Sequence, residues 1–295
     1  MKVLLTGGGG LLGQYLNIRL SSEKELLTLY NVNPGNCYKY NSMKIDITDK
    51  AKLSLLFINF RPDVVIHTAC YSRPEICAGL PRSEVYRLNV EATENIARMC
   101  TDYNSRMIYT STDLVYDGSG KGLLDEDADL NPLTLYAESK LMGEIAVQRN
   151  SDNYIILRTA LLIGFGLNHS RNNFHHTYES LEQGKEVRMF FDQYRSPLLL
   201  ENAADIINSL CGMTVKNETL NFGGRDRISR LEIGELICES AGFSKSLLKP
   251  VSCKTAEGLP QVPDVSMNTD KLESYGLKQP DIADSIDRAI KNRKI

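Results

Sequence analysis

The chain has 295 residues, 42% of them hydrophobic, and a formal net charge of −3. This length and composition suit a soluble globular protein of one large domain or two coupled ones. The mild acidity and the scattered Lys and Arg residues argue against a nucleic-acid-binding surface, and no stretch is apolar for long enough to span a membrane.

Strand-like and helix-like segments alternate through the first half of the sequence. The predicted strands are residues 2–6, 25–30, 63–67, 106–110 and 154–158, and the predicted helices are residues 11–20, 49–60, 83–100 and 133–148. This alternation predicts an α/β fold, a Rossmann-type doubly wound parallel sheet with helices on both faces. Ligands of such folds bind beyond the carboxyl ends of the strands.

The pattern loosens after Ile163. We predict a helix over residues 173–183, a short strand over 197–200 that enters a helix over 203–210, and one more strand at 220–222. The expected organisation is an NAD(P)-binding domain in residues 1–165, with return segments within 195–225. Residues 166–295 would form a smaller, mainly substrate-binding α/β region.

A glycine-rich turn lies between the first predicted strand and the first predicted helix. Gly7, Gly10 and Gly13 have the spacing of a dinucleotide-binding turn. Gly7 permits the tight turn, Gly10 lets the backbone approach a pyrophosphate, and Gly13 lets the helix pack closely on the strand. The free amides at the start of the helix, at Leu11 and Leu12, would face the phosphates.

The sequence leaves the choice between NAD and NADP open. The second strand ends at Tyr30-Asn31, so it lacks the acidic residue that usually holds the adenosine ribose of NAD. No Arg stands nearby for the 2′-phosphate of NADP. Asp46 and Ile47 could flank the adenine, although Asp46 suits a turn equally well.

Thr112, Tyr136 and Lys140 form a candidate catalytic set. The four-residue spacing of Tyr136 and Lys140 puts them on one face of a predicted helix, and Thr112 follows a strand end. A Lys cation beside the phenol lowers the pKa of the Tyr, and the Thr hydroxyl could hydrogen-bond the reacting oxygen.

The seven cysteines are odd in number and lack C-x-x-C spacing, so we expect reduced thiols in the cytoplasm and no metal site.

Together these motifs resemble the extended short-chain dehydrogenase/reductase superfamily, and within it the dTDP-4-dehydrorhamnose reductase group. Residues 61–71 are similar to the fourth strand and cofactor loop of that group, residues 111–118 to its serine-threonine-aspartate strand end, and residues 131–144 to its Tyr/Lys helix. The resemblance implies four further cofactor-binding residues, which are Thr68, Ala69, Cys70 and Tyr71.

The resemblance implies hydride transfer to or from a keto group on a nucleotide-linked sugar, with NADP or NAD as cofactor. Thr112, Tyr136 and Lys140 would be catalytic, and Tyr136 and Lys140 would also contact the cofactor. The implied substrate-binding residues are Thr112, Asp113, Phe174, Arg195 and Arg225. The two arginines suit a pyrophosphate, although ordinary surface arginines fit the sequence as well. Leu114 stands where the dehydratases of the superfamily carry a Glu, so dehydration is disfavoured.

Two other functions stay open. One branch that resembles this group is the non-catalytic regulatory subunit of methionine adenosyltransferase, which keeps the dinucleotide fold and binds a partner enzyme. A sugar-nucleotide epimerase is the other alternative, and it would consume no net cofactor. The expected partners are a nucleotide-linked sugar and a second copy of the chain in a homodimer.

Overall fold

A computed structural model describes residues 1–258 and 260–293. The strands in this part of the chain are β1 (Lys2–Thr6), β2 (Glu25–Tyr30), β3 (Ser42–Lys44), β4 (Val64–His67), β5 (Arg106–Thr110), β6 (Tyr154–Thr159), β7 (Leu162–Ile163), β8 (Val187–Phe190), β9 (Tyr194–Arg195), β10 (Leu198–Leu199), β11 (Glu218–Phe222), β12 (Ile228–Ser229) and β13 (Leu248–Val251). Seven of them form one parallel sheet in the order β3-β2-β1-β4-β5-β6-β11.

Helices cover both faces of this sheet. They are α1 (Leu11–Ser21), α2 (Lys50–Phe60), α3 (Pro74–Ala78), α4 (Arg82–Tyr86), α5 (Ala92–Asp102), α6 (Leu135–Asn150), α7 (Asn173–Glu182), α8 (Leu200–Gly212), α9 (Arg230–Ala241), α10 (Asp270–Ser274) and α11 (Ile282–Arg293). Successive residues of β1 point to opposite faces, so Val3 and Leu5 join the core under α1 and α8 while Leu4 joins the core under α2 and α5. The predicted doubly wound α/β fold is confirmed.

The predicted elements of the first half agree closely with the structure. Strands β1, β2 and β5 begin and end where the sequence predicted. Helix α2 begins after Asp49, whose carboxylate caps it by accepting a hydrogen bond from the Lys52 amide at 3.1 Å. The helix predicted over residues 83–100 differs, because a π-helical turn at Arg87–Glu91 separates α4 from α5.

The second half builds a smaller region beside the main sheet. Its core lies between α7, α9 and α11 and includes Tyr178, Ile237 and Ile286. Two short strand pairs in it, β8 with β13 and β9 with β12, were not predicted. The chain returns to the main sheet where α8 packs on α1 and β11 pairs with β6, and Leu272 of α10 joins the same core. None of the described helices is long and apolar enough to cross a membrane.

Candidate active site

A cleft of about 950 Å³ lies at the carboxyl ends of β1, β4, β5 and β6. Its position is the one expected for a ligand site in a doubly wound sheet whose strand order reverses between β1 and β4. Of the residues predicted for the site, those that line the cleft are Gly7, Gly10, Leu11, Leu12, Gly13, Asp46, Ile47, Thr68, Ala69, Cys70, Thr112, Asp113, Tyr136, Lys140 and Arg195.

In the glycine turn between β1 and α1, Gly7 and Gly13 are packed so tightly that a side chain would not fit at either position. Gly7 has a φ of +75°, and a Cβ on it would lie 2.7 Å from the Ala69 nitrogen. A Cβ on Gly13 would lie 2.1 Å from the Gly7 oxygen. A Cβ on Gly10 would meet only the Gly7 oxygen, at 3.2 Å. Gly10 lines the cleft, so without a side chain it presents bare backbone to a ligand there. This cradle fits a pyrophosphate at the N-terminus of α1.

His67, at the end of β4, supports the turn and is not a base. The ring is buried, with Nδ1 2.7 Å from the Thr6 hydroxyl and Nε2 3.0 Å from the Thr93 hydroxyl. Burial, with a smaller contribution from the Lys140 charge, lowers the pKa of His67 to about 3. The imidazole is therefore neutral and fully engaged in holding β1, β4 and α5 together.

The three predicted catalytic side chains meet in the cleft and are buried. The exposed fractions of Thr112, Tyr136 and Lys140 are 5%, 8% and 2%. The Thr112 hydroxyl and the Lys140 charge both lower the pKa of the Tyr136 phenol, but its burial has the larger effect and raises that pKa well above 10. The sequence argument included only the Lys effect. The net result is that Tyr136 is protonated at neutral pH.

Helix α6 holds Tyr136 and Lys140 in place. The Thr134 hydroxyl caps the helix by accepting from the Ala137 amide at 3.2 Å. A Cβ on Gly143 would lie 2.1 Å from the Tyr109 hydroxyl, so the glycine permits a close approach of α6 to β5. The Lys140 ammonium lies 4.1 Å from the centre of the Tyr109 ring.

The π-helical turn also fixes α6. Its buried Asn89 donates to the Ser139 hydroxyl at 2.9 Å and accepts from the Tyr71 amide at 2.8 Å. The turn therefore links the cofactor loop after β4 to the helix that carries Tyr136. Local π-helical geometry is frequent at functional sites, but hydrophobic periodicity does not reveal it.

Charged side chains cluster where the cleft approaches the smaller region. Asp113 is buried with its Oδ2 3.8 Å from Arg195 Nε, and burial raises the pKa of its carboxyl although Arg195 opposes this. Arg230 also lines the cleft, and its Nε donates to the Gln193 side chain at 3.2 Å. Burial and the Arg195 charge lower the pKa of Arg230 to about 9, so the guanidinium remains charged at neutral pH.

Arg230 is a candidate functional residue that sequence reasoning missed. The available signal was the helix-start pattern Ser229-x-x-Glu232, which is a capping box in the structure and makes Arg230 the first residue of α9. Ser111 was also not assigned to the site. Its hydroxyl is buried in the cleft and has no hydrogen-bond partner among residues 1–258 and 260–293, so a bound group could supply one.

A smaller cavity of about 300 Å³ adjoins the cleft. Four residues line both spaces, namely Leu161, Asn173, His176 and Arg230. Its lining is largely apolar and includes Phe174, Phe190 and Ile233. We call the part of the cleft around Arg230, where the two spaces join, the neck. The neck is polar and positively charged and the smaller cavity is apolar, which suits a ligand that has a charged part and an apolar part.

Three residues predicted for the site do not line the cleft. Tyr71 donates from its hydroxyl to Glu84 at 2.8 Å and from its amide to Asn89. Phe174 lines the smaller cavity instead. Arg225 lies in the turn after β11 and is half-exposed. Its guanidinium pairs with Asp281 at 3.2 Å, away from the charged side chains around Arg230.

The far part of the cleft contains Tyr30, Asn31 and Asp46. Asp46 has a turn role as well, since its Oδ1 accepts from the amide and the hydroxyl of Thr48 at 2.9 and 2.8 Å. The end of β2 presents no carboxylate to this part of the cleft. Tyr30 and Asn31, at the end of β2, carry neither the acid expected for NAD nor a cation for NADP, so this strand end favours neither cofactor.

Comparison with known proteins gives one family and several relatives. The family model described as RmlD substrate binding domain matches residues 1–295. Methionine adenosyltransferase 2 subunit beta of Xenopus tropicalis is 27% identical over 286 residues, which is 94% of this chain and 83% of the relative. The dTDP-4-dehydrorhamnose reductase of Aggregatibacter actinomycetemcomitans is 29% identical over 226 residues, covering 75% and 71%.

The fold agrees with that of a solved reductase. The dTDP-4-dehydrorhamnose reductase of Bacillus anthracis, solved in complex with NADP, superposes with a TM-score of 0.86 over 99% of both chains. The sequences are 22% identical, so this likeness concerns the fold.

Proposed function

Because the chain belongs to the RmlD substrate-binding-domain family, we propose that it is an NAD(P)H-dependent reductase. Its substrate would be the keto group of a nucleotide-linked sugar, as for the dTDP-4-dehydrorhamnose reductases it is similar to. The observation that carries the proposal is the burial of Thr112, Tyr136 and Lys140 together, in the cleft that also contains the glycine turn.

The residues around the cleft suit a nicotinamide dinucleotide, either NADP or NAD. The turn from Gly7 to Gly13 would hold the pyrophosphate, Asp46 and Ile47 would flank the adenosine, and Lys140 would reach the nicotinamide ribose. When bound, the reduced cofactor supplies the hydride. The complex of the Bacillus anthracis protein with NADP supports this assignment.

The chain itself would supply the proton. Tyr136 is protonated at neutral pH because burial raises the pKa of its phenol, and this is the state a proton donor needs. As the carbonyl carbon is reduced, the Tyr136 hydroxyl would give its proton to the carbonyl oxygen, which becomes the alcohol. Lys140 would stabilise the phenolate that remains, and the Thr112 hydroxyl would orient the oxygen.

The cationic cluster supports an anionic substrate. Lys140, Arg195 and Arg230 against Asp113 leave an excess of two positive charges among these four groups, which matches a diphosphate. The apolar cavity beside Arg230 would take the nucleotide base. The sugar would then lie between this cavity and Tyr136, next to Leu161.

Turnover of purified protein tests the proposal. With NADPH or NADH and a panel of keto-sugar nucleotides that includes dTDP-4-dehydrorhamnose, we expect net oxidation of the cofactor. Tyr136→Phe should lower kcat by about 10²–10⁴-fold with cofactor binding retained. An equal rate in wild type and variant would overturn the assignment, and interconversion of sugar nucleotides without net cofactor consumption would identify an epimerase.

A second candidate is a regulatory subunit of a methionine adenosyltransferase. The match to the Xenopus subunit along 94% of the chain favours it. Stable co-elution with a methionine adenosyltransferase catalytic subunit, together with no turnover of any sugar nucleotide, would support this role.

Two further expectations have their own tests. Light scattering of the purified chain tests the expected homodimer, and fractionation of the native cells tests the expected cytoplasmic location.

A further inference from the structure

One segment of the chain connects the two halves of the proposed site. Residues 164–172, which we call the crossing segment, run from β7 to α7. Residues 169–172 of this segment line the cleft together with the glycine turn. The next residue, Asn173, lines both the cleft and the smaller cavity.

Gln14 holds this segment from the dinucleotide side. It follows Gly13 in the first turns of α1 and is fully buried. Its carboxamide nitrogen donates to the Leu167 carbonyl at 3.0 Å and to the Ser170 hydroxyl at 2.8 Å. Its carboxamide oxygen accepts from Asn168 at 2.6 Å. Both hydrogens and one lone pair of the amide are therefore used on the crossing segment.

Two further contacts extend the connection. Next to Gln14, the Tyr15 hydroxyl donates to the Phe165 carbonyl at 2.7 Å. At the other end of the segment, Asn172 caps α7 by accepting from the His175 amide at 2.9 Å. Gln14 and Tyr15 thus join α1 to the crossing segment, and the Gly166 amide joins the segment to the first turn of α7 by donating to His175 Nδ1 at 3.1 Å.

We propose that Gln14 is a positioning residue that couples occupation of the glycine turn to the substrate side of the cleft. A dinucleotide on the turn restrains the start of α1, and through Gln14 it restrains the crossing segment and Asn173. Binding of the cofactor would then prepare the site for the sugar nucleotide. The inference rests on the proposed function only for the identity of the two ligands.

Tryptic cleavage after Arg171 measures opening of the segment. In wild-type protein, NADPH should protect this bond. Gln14→Met leaves the half-buried Leu167 carbonyl and the buried Ser170 hydroxyl without this partner, and should speed cleavage about tenfold. Asn168→Gly tests the same connection from the exposed side should Gln14→Met fail to fold. It removes the hydrogen bond from Asn168 to the Gln14 carboxamide oxygen, and glycine suits the φ of 50° at this position, so cleavage should speed up by a smaller factor.

Calorimetric binding of UDP with and without NADPH tests the coupling itself. In wild type, NADPH should strengthen UDP binding, and in Gln14→Met this strengthening should be lost. Asn208→Leu is the control, because it removes another buried amide, on α8, whose side chain donates to Glu23. It should lower stability and leave the coupling intact.

The outcomes separate the two proposals. Failure of wild-type protein to bind both NADPH and NADH would contradict the proposed function. Binding of NADPH without protection at Arg171, or equal coupling in wild type and Gln14→Met, would overturn the role of Gln14 and leave the proposed function standing.

Discussion

Replacing Arg230 by Met should weaken ligand binding without a matching loss of stability. Burial lowers the pKa of this guanidinium from 12.5 to about 9, with a smaller contribution from Arg195. At about 1.4 kcal/mol per pKa unit, the charge costs the folded state at most about 5 kcal/mol. The side chain is only partly buried, and screening by water reduces this cost to about 1–2 kcal/mol.

Arg230→Met keeps the apolar stem and removes both this cost and one hydrogen bond to Gln193, which contributes about 1 kcal/mol. The melting temperature should therefore stay the same or rise by up to about 4 °C. Loss of a charge-assisted contact to phosphate should weaken UDP binding by about 10- to 100-fold.

Thermal unfolding and calorimetric titration with UDP measure the two effects on one sample. Arg225→Met is the matched control, since Arg225 pairs with Asp281 on the surface and should change neither quantity. A clear fall in the melting temperature of Arg230→Met with unchanged UDP affinity would refute the reasoning, because Arg230 would then be a structural residue.

Two further predictions concern the proton donor and the core. In the reductive direction, kcat/KM should stay level through neutral pH and fall only as the pH rises toward the raised pKa of Tyr136. Oxidation of the alcohol product should instead speed up as the pH rises. A reductive kcat/KM that already declines as the pH rises from 7 to about 8 would contradict this. Arg158→Met should lower the free energy of unfolding in urea by about 3–5 kcal/mol, because it leaves the buried Glu144 carboxylate without its 3.0 Å partner, and Arg158→Lys should recover part of the loss.

The sequence predicted the first half of the fold well because its strands are buried on both faces. Residues 2–6, 64–67 and 106–110 are nearly continuous apolar runs between turn signals, and such runs have few alternatives in an α/β protein. The strands β8 and β13 were missed for the opposite reason. They are short and partly exposed, and they contain Arg188, Lys249 and Pro250, so no periodicity marks them.

In the candidate site, too, local motifs were predicted from the sequence and residues with distant partners were not. Gly7–Gly13 and Tyr136–Lys140 are local motifs whose spacing is read along one turn or one helix. Arg230 and Gln14 contact Gln193 and Leu167, which are 37 and 153 residues away along the chain, so only the tertiary structure reveals these partners. The pKa of Tyr136 was predicted in the wrong direction because burial, the larger cause, does not appear in a local pattern.

The buried charges bear on the choice between catalysis and pure regulation. Burial raises the pKa of Asp113 and lowers the pKa of Arg195, so the charged forms of both groups oppose folding. A subunit that bound only a dinucleotide would not need the charges of Asp113 and Arg195 on the substrate side of the cleft. An anionic ligand at the neck would offset the excess positive charge, so thermal stabilisation by UDP that depends on Arg195 and Arg230 is expected of a sugar-nucleotide enzyme. Stabilisation by NADPH alone would instead favour the regulatory role.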